Sequence, residues 1–261
     1  MNLTIVDWFG YNLPPKERMK LIKEAGFSGI IGFMWTNQFD NDYKSFPEYA
    51  RNAGLYIENM HGPWAGANEL WTNSLAGKSF MDEIVENIKA CSSFEIPTLV
   101  MHVECKSGIE YVDLPETFDV GIDKWKRIID IAERLNINIA IENMARPEYL
   151  DCIFKNIESM RLGFCFDSGH WNLLMPEVDL LALYGDKLMA LHLNDNDGKE
   201  DMHTLPFAGS IDWDDIKAKL KSADYKGTIA LEVGNKTFEH ITEPEKFLEI
   251  AVEKAKKLIY K

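Results

Sequence analysis

Histidines and carboxylates recur in this chain at the ends of short apolar runs or in the turns just after them. Glu142 closes INIAIENM, and Asp167 and His170 lie in LGFCFDSGH. His192 falls in LMALHLND, Glu232 in TIALEVG, His61 in LYIENMHG and His102 in TLVMHVE. Asp201 and His203 follow in EDMHTLPFAGSIDW, so five of the six histidines belong to this set, and His240 stands outside it. A carboxylate buried alone must either protonate or bear a large desolvation cost. Several acids and imidazoles brought together therefore call for a counter-charge. A divalent cation supplies it, and nitrogen and oxygen ligands suit zinc, manganese, cobalt or magnesium. Glu142, Asp167, His192 and Glu232 form the expected ligand quartet, the alternative being a purely hydrogen-bonded polar cluster. His61, His102, His170, Asp201 and His203 are candidates for additional ligands. His170 also reads as a substrate binder or a helix cap, His61 and His102 as hydrogen bonders of the mouth, and Asp201 and His203 as solvated loop residues. The chain has no GxGxxG or phosphate-loop lysine motif and no serine–histidine–aspartate arrangement.

The elements that must carry these residues are strands alternating with helices. Strands are expected at Leu3–Asp7, Gly29–Phe33, Leu55–Asn59, Thr98–Val103, Ile137–Asn143, Leu162–Asp167, Leu188–Asn194 and Thr228–Val233. Helices are expected at Pro15–Ala25, Phe46–Ala53, Lys78–Cys91, Ile122–Leu135, Glu148–Ile157, Val178–Tyr184, Trp213–Ser222 and Pro244–Ile259. Strands separated by helices of roughly 10–15 residues indicate parallel βαβ units. Eight such units within 261 residues predict a single-domain (β/α)8 TIM barrel spanning 1–261. A period of two then decides the faces. Asn138, Ala140 and Glu142 share the inner face, as do Thr98, Val100, His102 and Glu104, then Ala190, His192 and Asn194, and also Thr228, Ala230 and Glu232. The third strand is expected to turn Leu55, Ile57, Asn59 and His61 inward. Closing the barrel gathers the polar strand ends at its C-terminal mouth, where barrel enzymes keep their sites. The long segments Gly62–Gly77, Cys105–Gly121 and Asp195–Ser210 follow strands and are expected to build that mouth. Gly209-Ser210 and Lys236 are weaker signals, for an anion and a phosphate respectively.

Aromatic residues follow the same strands: Trp8 and Phe9, Trp35, Trp64 and Trp171. Apolar walls beside a polar floor suit the C–H faces of a carbohydrate, so Trp8, Trp35, Trp64 and Trp171 are expected to touch substrate.

With 42 acidic and 28 basic side chains the formal net charge is −14. That charge repels nucleic acid backbones and anionic membranes at long range. MNLTIVDWFG lacks the pattern of a signal peptide, and no run approaches the length of a transmembrane helix. The four cysteines, Cys91, Cys105, Cys152 and Cys165, show no disulfide or CxxC spacing. A reduced, cytoplasmic enzyme with a small-molecule substrate is the expectation; a homo-oligomer is compatible with it.

Taken in order, IENM, LGFCFDSGHWN, LHLNDNDG, DMHTLPFAGSIDW and LEV resemble the xylose-isomerase-like barrel superfamily, which includes sugar isomerases and epimerases and the apurinic endonuclease four family. The resemblance spans nearly the whole chain. Its epimerase branch implies one divalent metal on Glu142, Asp167, His192 and Glu232, with the two glutamates moving protons on opposite sides of a sugar carbon and His170 binding substrate. It also implies a substrate-binding Glu148, while Gly198 stands where that branch carries an arginine. The endonuclease branch implies up to three zinc ions on all nine His, Asp and Glu positions named above. The loops MWTNQFDNDY and GPWAGANELWTNS carry no basic residue to grip phosphates. The expected activity is therefore a metal-dependent sugar isomerase or epimerase working through a metal-stabilised enediolate. A multi-zinc phosphodiesterase and a non-catalytic metal-binding barrel are the alternatives.

Overall fold

A computed structural model describes residues 1–34, 44–107, 110–111 and 113–259. The chain runs β1 (Leu3–Val6), α1 (Pro15–Ala25), β2 (Gly29–Phe33), α2 (Phe46–Asn52), β3 (Tyr56–His61), α3 (Leu75–Ser93) and β4 (Thr98–His102). A small antiparallel pair follows, β5 (Lys106–Ser107) with β6 (Glu110–Tyr111), and then α4 (Asp119–Leu135), β7 (Asn138–Glu142), α5 (Pro147–Asn156), β8 (Leu162–Asp167) and α6 (Ser168–Leu174). The chain closes with α7 (Leu180–Tyr184), β9 (Leu188–His192), α8 (Trp213–Ser222), β10 (Ile229–Leu231) and α9 (Pro244–Lys257). Helices α1 and α8 coincide with the expected spans. Gly26 ends α1 at φ 106°, the left-handed cap expected of a glycine there.

The eight parallel strands are ordered β10-β1-β2-β3-β4-β7-β8-β9. The Leu193 amide donates to Ala230 O (2.9 Å) and the Glu232 amide to Leu193 O (3.1 Å), which joins β9 to β10 and closes the (β/α)8 barrel. Large apolar residues such as Ile139, Ile141, Phe164, Phe166 and Leu191 lie in the core between strands and helices. Val100, Ala140, Cys165 and Ala190 form a separate, fully buried cluster inside the barrel. Small side chains are what a closed lumen admits, and Cys165 is fully buried there.

Two features depart from the sequence expectation. In β3, Ile30 of β2 pairs with Ile57 but Ile31 pairs with Asn59, so Glu58 is an extra residue in a β-bulge. The strict alternation expected for Leu55, Ile57, Asn59 and His61 therefore fails. Leu55 and Ile57 join the outer core, whereas the Tyr56 hydroxyl reaches Thr228 Oγ1 at 3.0 Å. Beyond the bulge Asn59 and His61 do face inward. The second departure is α6: the turn expected around His170 is a helix, because the Asp167 side chain caps it by accepting from the His170 amide at 2.6 Å.

Candidate metal centre

Glu142, at the end of β7, is the hub of the barrel mouth. Its Oε2 lies 3.2 Å from His61 Nε2, 3.4 Å from His102 Nε2 and 3.1 Å from His192 Nδ1. Its Oε1 lies 3.1 Å from His170 Nδ1. Glu232 Oε2 approaches His192 Nδ1 at 3.2 Å. Asp201 Oδ2 sits between His170 Nε2 (3.6 Å) and His203 Nε2 (3.3 Å). All nine expected acids and imidazoles thus converge, from the ends of β3, β4, β7, β8, β9 and β10 and the loop after β9.

The ring nitrogens on the outer side decide which nitrogens face inward. A carbonyl oxygen can only accept a hydrogen bond, so the one holding each ring fixes a proton on the nitrogen that touches it. His61 Nδ1 donates to Gly62 O (2.7 Å), His203 Nδ1 to Glu232 O (3.0 Å) and His192 Nε2 to Asn59 Oδ1 (3.4 Å). In each ring the opposite nitrogen then points at a carboxylate. Two ligand atoms about 2.1 Å from one tetrahedral ion stand roughly 3.4 Å apart. The His61, His102 and Glu142 donors are 3.1–3.4 Å from one another, so the residues fit a divalent cation. Other donor groups have compatible spacing, among them Glu142, Asp167, His192 and Glu232, and His170, Asp201 and His203. The buried atoms Glu142 Oε1, His170 Nδ1 and His102 Nδ1 lack a well-formed hydrogen bond.

The electrostatics ask for added positive charge. Burial pushes the Asp167 carboxyl up to about 7; His170 opposes this, while the charges of Glu142 and Glu232 reinforce it. Burial also pushes Glu142 up, but His192, His102 and His170 outweigh it and hold the group well below its ordinary range. Glu232 is likewise brought down to about 2 by His192 and His203 against the effect of burial. Burial lowers His102 to about 4. It also disfavours charge on His192 and His203, yet Cys165 and the carboxylates raise His192 well above its ordinary range, and Asp201 and Glu232 carry His203 to about 10. The inward nitrogens of His192 and His203 are therefore places for a proton or for a metal ion.

Asparagines that sequence reasoning left without a role hold Asp167 in place. Asn143 exchanges two hydrogen bonds with the Asp167 backbone (2.8 and 2.9 Å), and Asn194 Nδ2 donates to Asp167 Oδ2 at 2.9 Å. Their signal was available: each follows its barrel strand within two residues, in IENM and LHLND. Glu104, expected on the inner face, instead accepts from the Arg146 amide at 2.6 Å, and burial lifts its carboxyl to about 7.

Above the cluster lies a cavity of 620 Å³. Trp8, Phe33, Trp64, Met144, Leu173 and Val233 wall it, and His61, His102, Glu142, His170, Asp201, His203 and Glu232 face it from below and the side. Of the tryptophans expected to touch substrate, Trp8 and Trp64 border this cavity. Trp171 does not: it packs against Phe166 in the outer layer, where its Nε1 donates to Val178 O (2.9 Å) and Lys219 lies over its ring. Glu148 is exposed on the first turn of α5 and does not line the cavity. Trp35 lies outside the described residues. Lys236 and His240 are exposed, and the Ser210 amide donates to Asn196 O rather than facing a ligand.

A family model for the xylose isomerase-like TIM barrel matches residues 19–258. The protein y4fM of Sinorhizobium fredii is 28% identical over 254 residues, covering 83% of this chain and 80% of that one. Among solved structures, D-psicose 3-epimerase with D-tagatose from Clostridium cellulolyticum H10 superposes with a TM-score of 0.81 at 12% identity, covering 99% of both chains. The IolI protein with a bound zinc atom superposes with a TM-score of 0.75 at 18% identity, covering 99% of this chain and 96% of that one. At those identities the two structures establish a shared fold.

Proposed function

The chain belongs to the xylose isomerase-like TIM barrel family, and from that premise we propose that it is a divalent-metal-dependent isomerase or epimerase of a small carbohydrate or polyol-like keto compound. The observation that carries this reading is the pairing of Glu142 and Glu232 on His192 Nδ1, at 3.1 and 3.2 Å, at the bottom of a cavity sized for one small molecule. Glu142, Asp167, His192 and Glu232 would hold the ion. When bound, the cation polarises neighbouring carbonyl and hydroxyl oxygens and so makes an adjacent C–H bond more acidic. One of the two glutamates takes that proton. Its return to the neighbouring carbon isomerises, and delivery by the other glutamate to the opposite face epimerises. His170 and Asp201 present polar atoms to substrate hydroxyls. Trp8 and Trp64 offer flat apolar walls. No lysine or arginine lines the cavity among the described residues. The four cysteines are free, which agrees with a reduced, cytoplasmic setting. None of the described helices is long and apolar enough to cross a membrane.

Incubation with a ketose panel in deuterated water tests the proposal. Metal-dependent incorporation of deuterium at carbon is expected, and absent from Glu142→Gln. Three donor groups that together use all nine residues, two of them sharing Glu142, favour one second reading, a multi-zinc phosphodiesterase. Cleavage of an abasic duplex without carbon exchange would select it.

A further inference from the structure

Two of the three histidines with carbonyl partners are locked by backbone oxygens, Gly62 O for His61 and Glu232 O for His203. A peptide carbonyl cannot exchange its oxygen for a donor. His192 is held instead by a side-chain carboxamide, Asn59 Oδ1. A carboxamide rotated by half a turn would present its NH2 group to His192 Nε2. The ring would then have to accept on that side, carry its proton on Nδ1, and lose the lone pair turned toward Glu142 and Glu232. Something must therefore prevent that rotation.

The bulge in β3 supplies it. In a regular strand Glu58 and Asn59 would point to opposite faces. Because Glu58 is the extra residue, both side chains turn to the barrel interior, and Asn59 Nδ2 donates to Glu58 Oε2. Glu58 is half-buried. It does not line the cavity, and it has no part in the proton transfer proposed above. A carboxylate can only accept, so it selects the Asn59 orientation in which Oδ1 faces His192.

We propose that Glu58 and Asn59 form a positioning pair beneath the metal centre, fixing His192 in the tautomer whose Nδ1 ligates. The inference rests on the metal-dependent reading of the site. Outer partners of this kind typically contribute tenfold to a hundredfold in metal affinity. Burial pushes the Glu58 carboxyl up while the Asn59 bond and the His192 charge oppose it. The neutral acid retains a carbonyl oxygen that can accept the same bond, and so does glutamine.

The test compares Asn59→Leu, Glu58→Met and Glu58→Gln with the parent chain. Zinc and manganese dissociation constants come from chelator competition, and the His192 tautomer from ring 15N shifts in chelator-treated protein, followed to the high-pH side of the His192 titration where the ring carries a single proton. Asn59→Leu is expected to weaken metal binding roughly tenfold to a hundredfold and to shift His192 away from the Nε2–H form. Glu58→Met should do the same to a smaller extent, and Glu58→Gln should restore parental affinity and tautomer. Unchanged affinity and tautomer in both Asn59→Leu and Glu58→Met would overturn the positioning role. So would equal loss in Glu58→Met and Glu58→Gln. A parent chain that takes up neither metal would instead remove the metal-dependent reading, and the 15N shifts would still decide whether the pair sets the ring.

Discussion

His61 Nε2 and His102 Nε2 face each other at 3.1 Å, with Glu142 Oε2 within 3.4 Å of both. Burial lowers His102 to about 4, so its ring is neutral at physiological pH. Gly62 O fixes the His61 proton on the far side of that ring. The three inward atoms therefore converge as ligands converge on an ion. Chelation is expected to abolish turnover and lower the thermal midpoint, with zinc, manganese or cobalt restoring both. Metal uptake should release protons from His192 and His203, because carboxylates raise both rings. Titration calorimetry in buffers of different ionisation enthalpy measures that release; identical heats in every buffer would contradict it.

Replacing either glutamate separates ligation from proton transfer. Glu142→Gln removes the carboxylate charge that four histidines contact, so it should weaken metal binding and reduce turnover by about 10²–10⁴-fold. Glu232→Gln should show a comparable loss of turnover with a smaller loss of affinity, since Glu232 contacts His192 alone among these rings. Steady-state kinetics at saturating metal distinguish the two effects. Near-parental turnover in Glu142→Gln would take that residue out of the mechanism.

The pH dependence of stability follows from His203. Its pKa rises from an ordinary 6.5 to about 10 through Asp201 and Glu232, against the effect of burial. A group raised in the folded state contributes stability that is complete below its unfolded value and is lost as pH climbs through the folded one. Chelator-treated protein should therefore lose stability between about pH 6.5 and pH 10. His170 and His192, also raised, act in the same direction. Urea midpoints across that window provide the measurement, and His203→Asn should flatten the slope. A midpoint that rises across the window would refute the assignment.

Gly169 lies in the first turn of α6, between Asp167 and His170, without itself carrying chemistry. A methyl group there would stand 1.9 Å from Asn194 Oδ1. Asn194 would have to move, taking with it the bond that holds Asp167 Oδ2. Gly169→Ala should weaken metal binding about tenfold, with His170 displaced as well. Chelator competition checks the affinity, and a parental value would mean that Asn194 does not position Asp167.

Behind the cavity wall, Arg18 lies over the Trp8 ring at 5.3 Å and pairs with Asp7 Oδ2 at 2.8 Å, both charged groups being fully buried. Removing one member of a buried pair typically costs about 3–5 kcal/mol. Arg18→Met is expected to lose stability of that order and to loosen Trp8, raising KM more than it lowers kcat. Chemical denaturation and substrate titration measure the two effects. The double change Asp7→Leu with Arg18→Met should recover part of the stability, because it removes the stranded charge.

Periodicity and composition determined the barrel in advance. Alternating runs such as INIAIENM and TIALEVG put Glu142 and Glu232 on the inner face whatever the loops do, and the clustering of acids with imidazoles follows from closing the sheet. The tertiary structure decided what a period of two cannot express. A single extra residue at Glu58 shifts the phase of β3, and that shift depends on pairing with β2 rather than on the local sequence. Trp171 follows His170 in sequence yet faces the outer layer, because the Asp167 cap starts a helix there and a helix turns successive side chains about 100° apart. Glu148 has the right spacing from Glu142, but α5 carries it to the surface. Spacing along a chain fixes which face a residue takes while the strand stays regular; where bulges, caps and loops intervene, only contacts between distant segments determine where the side chain points.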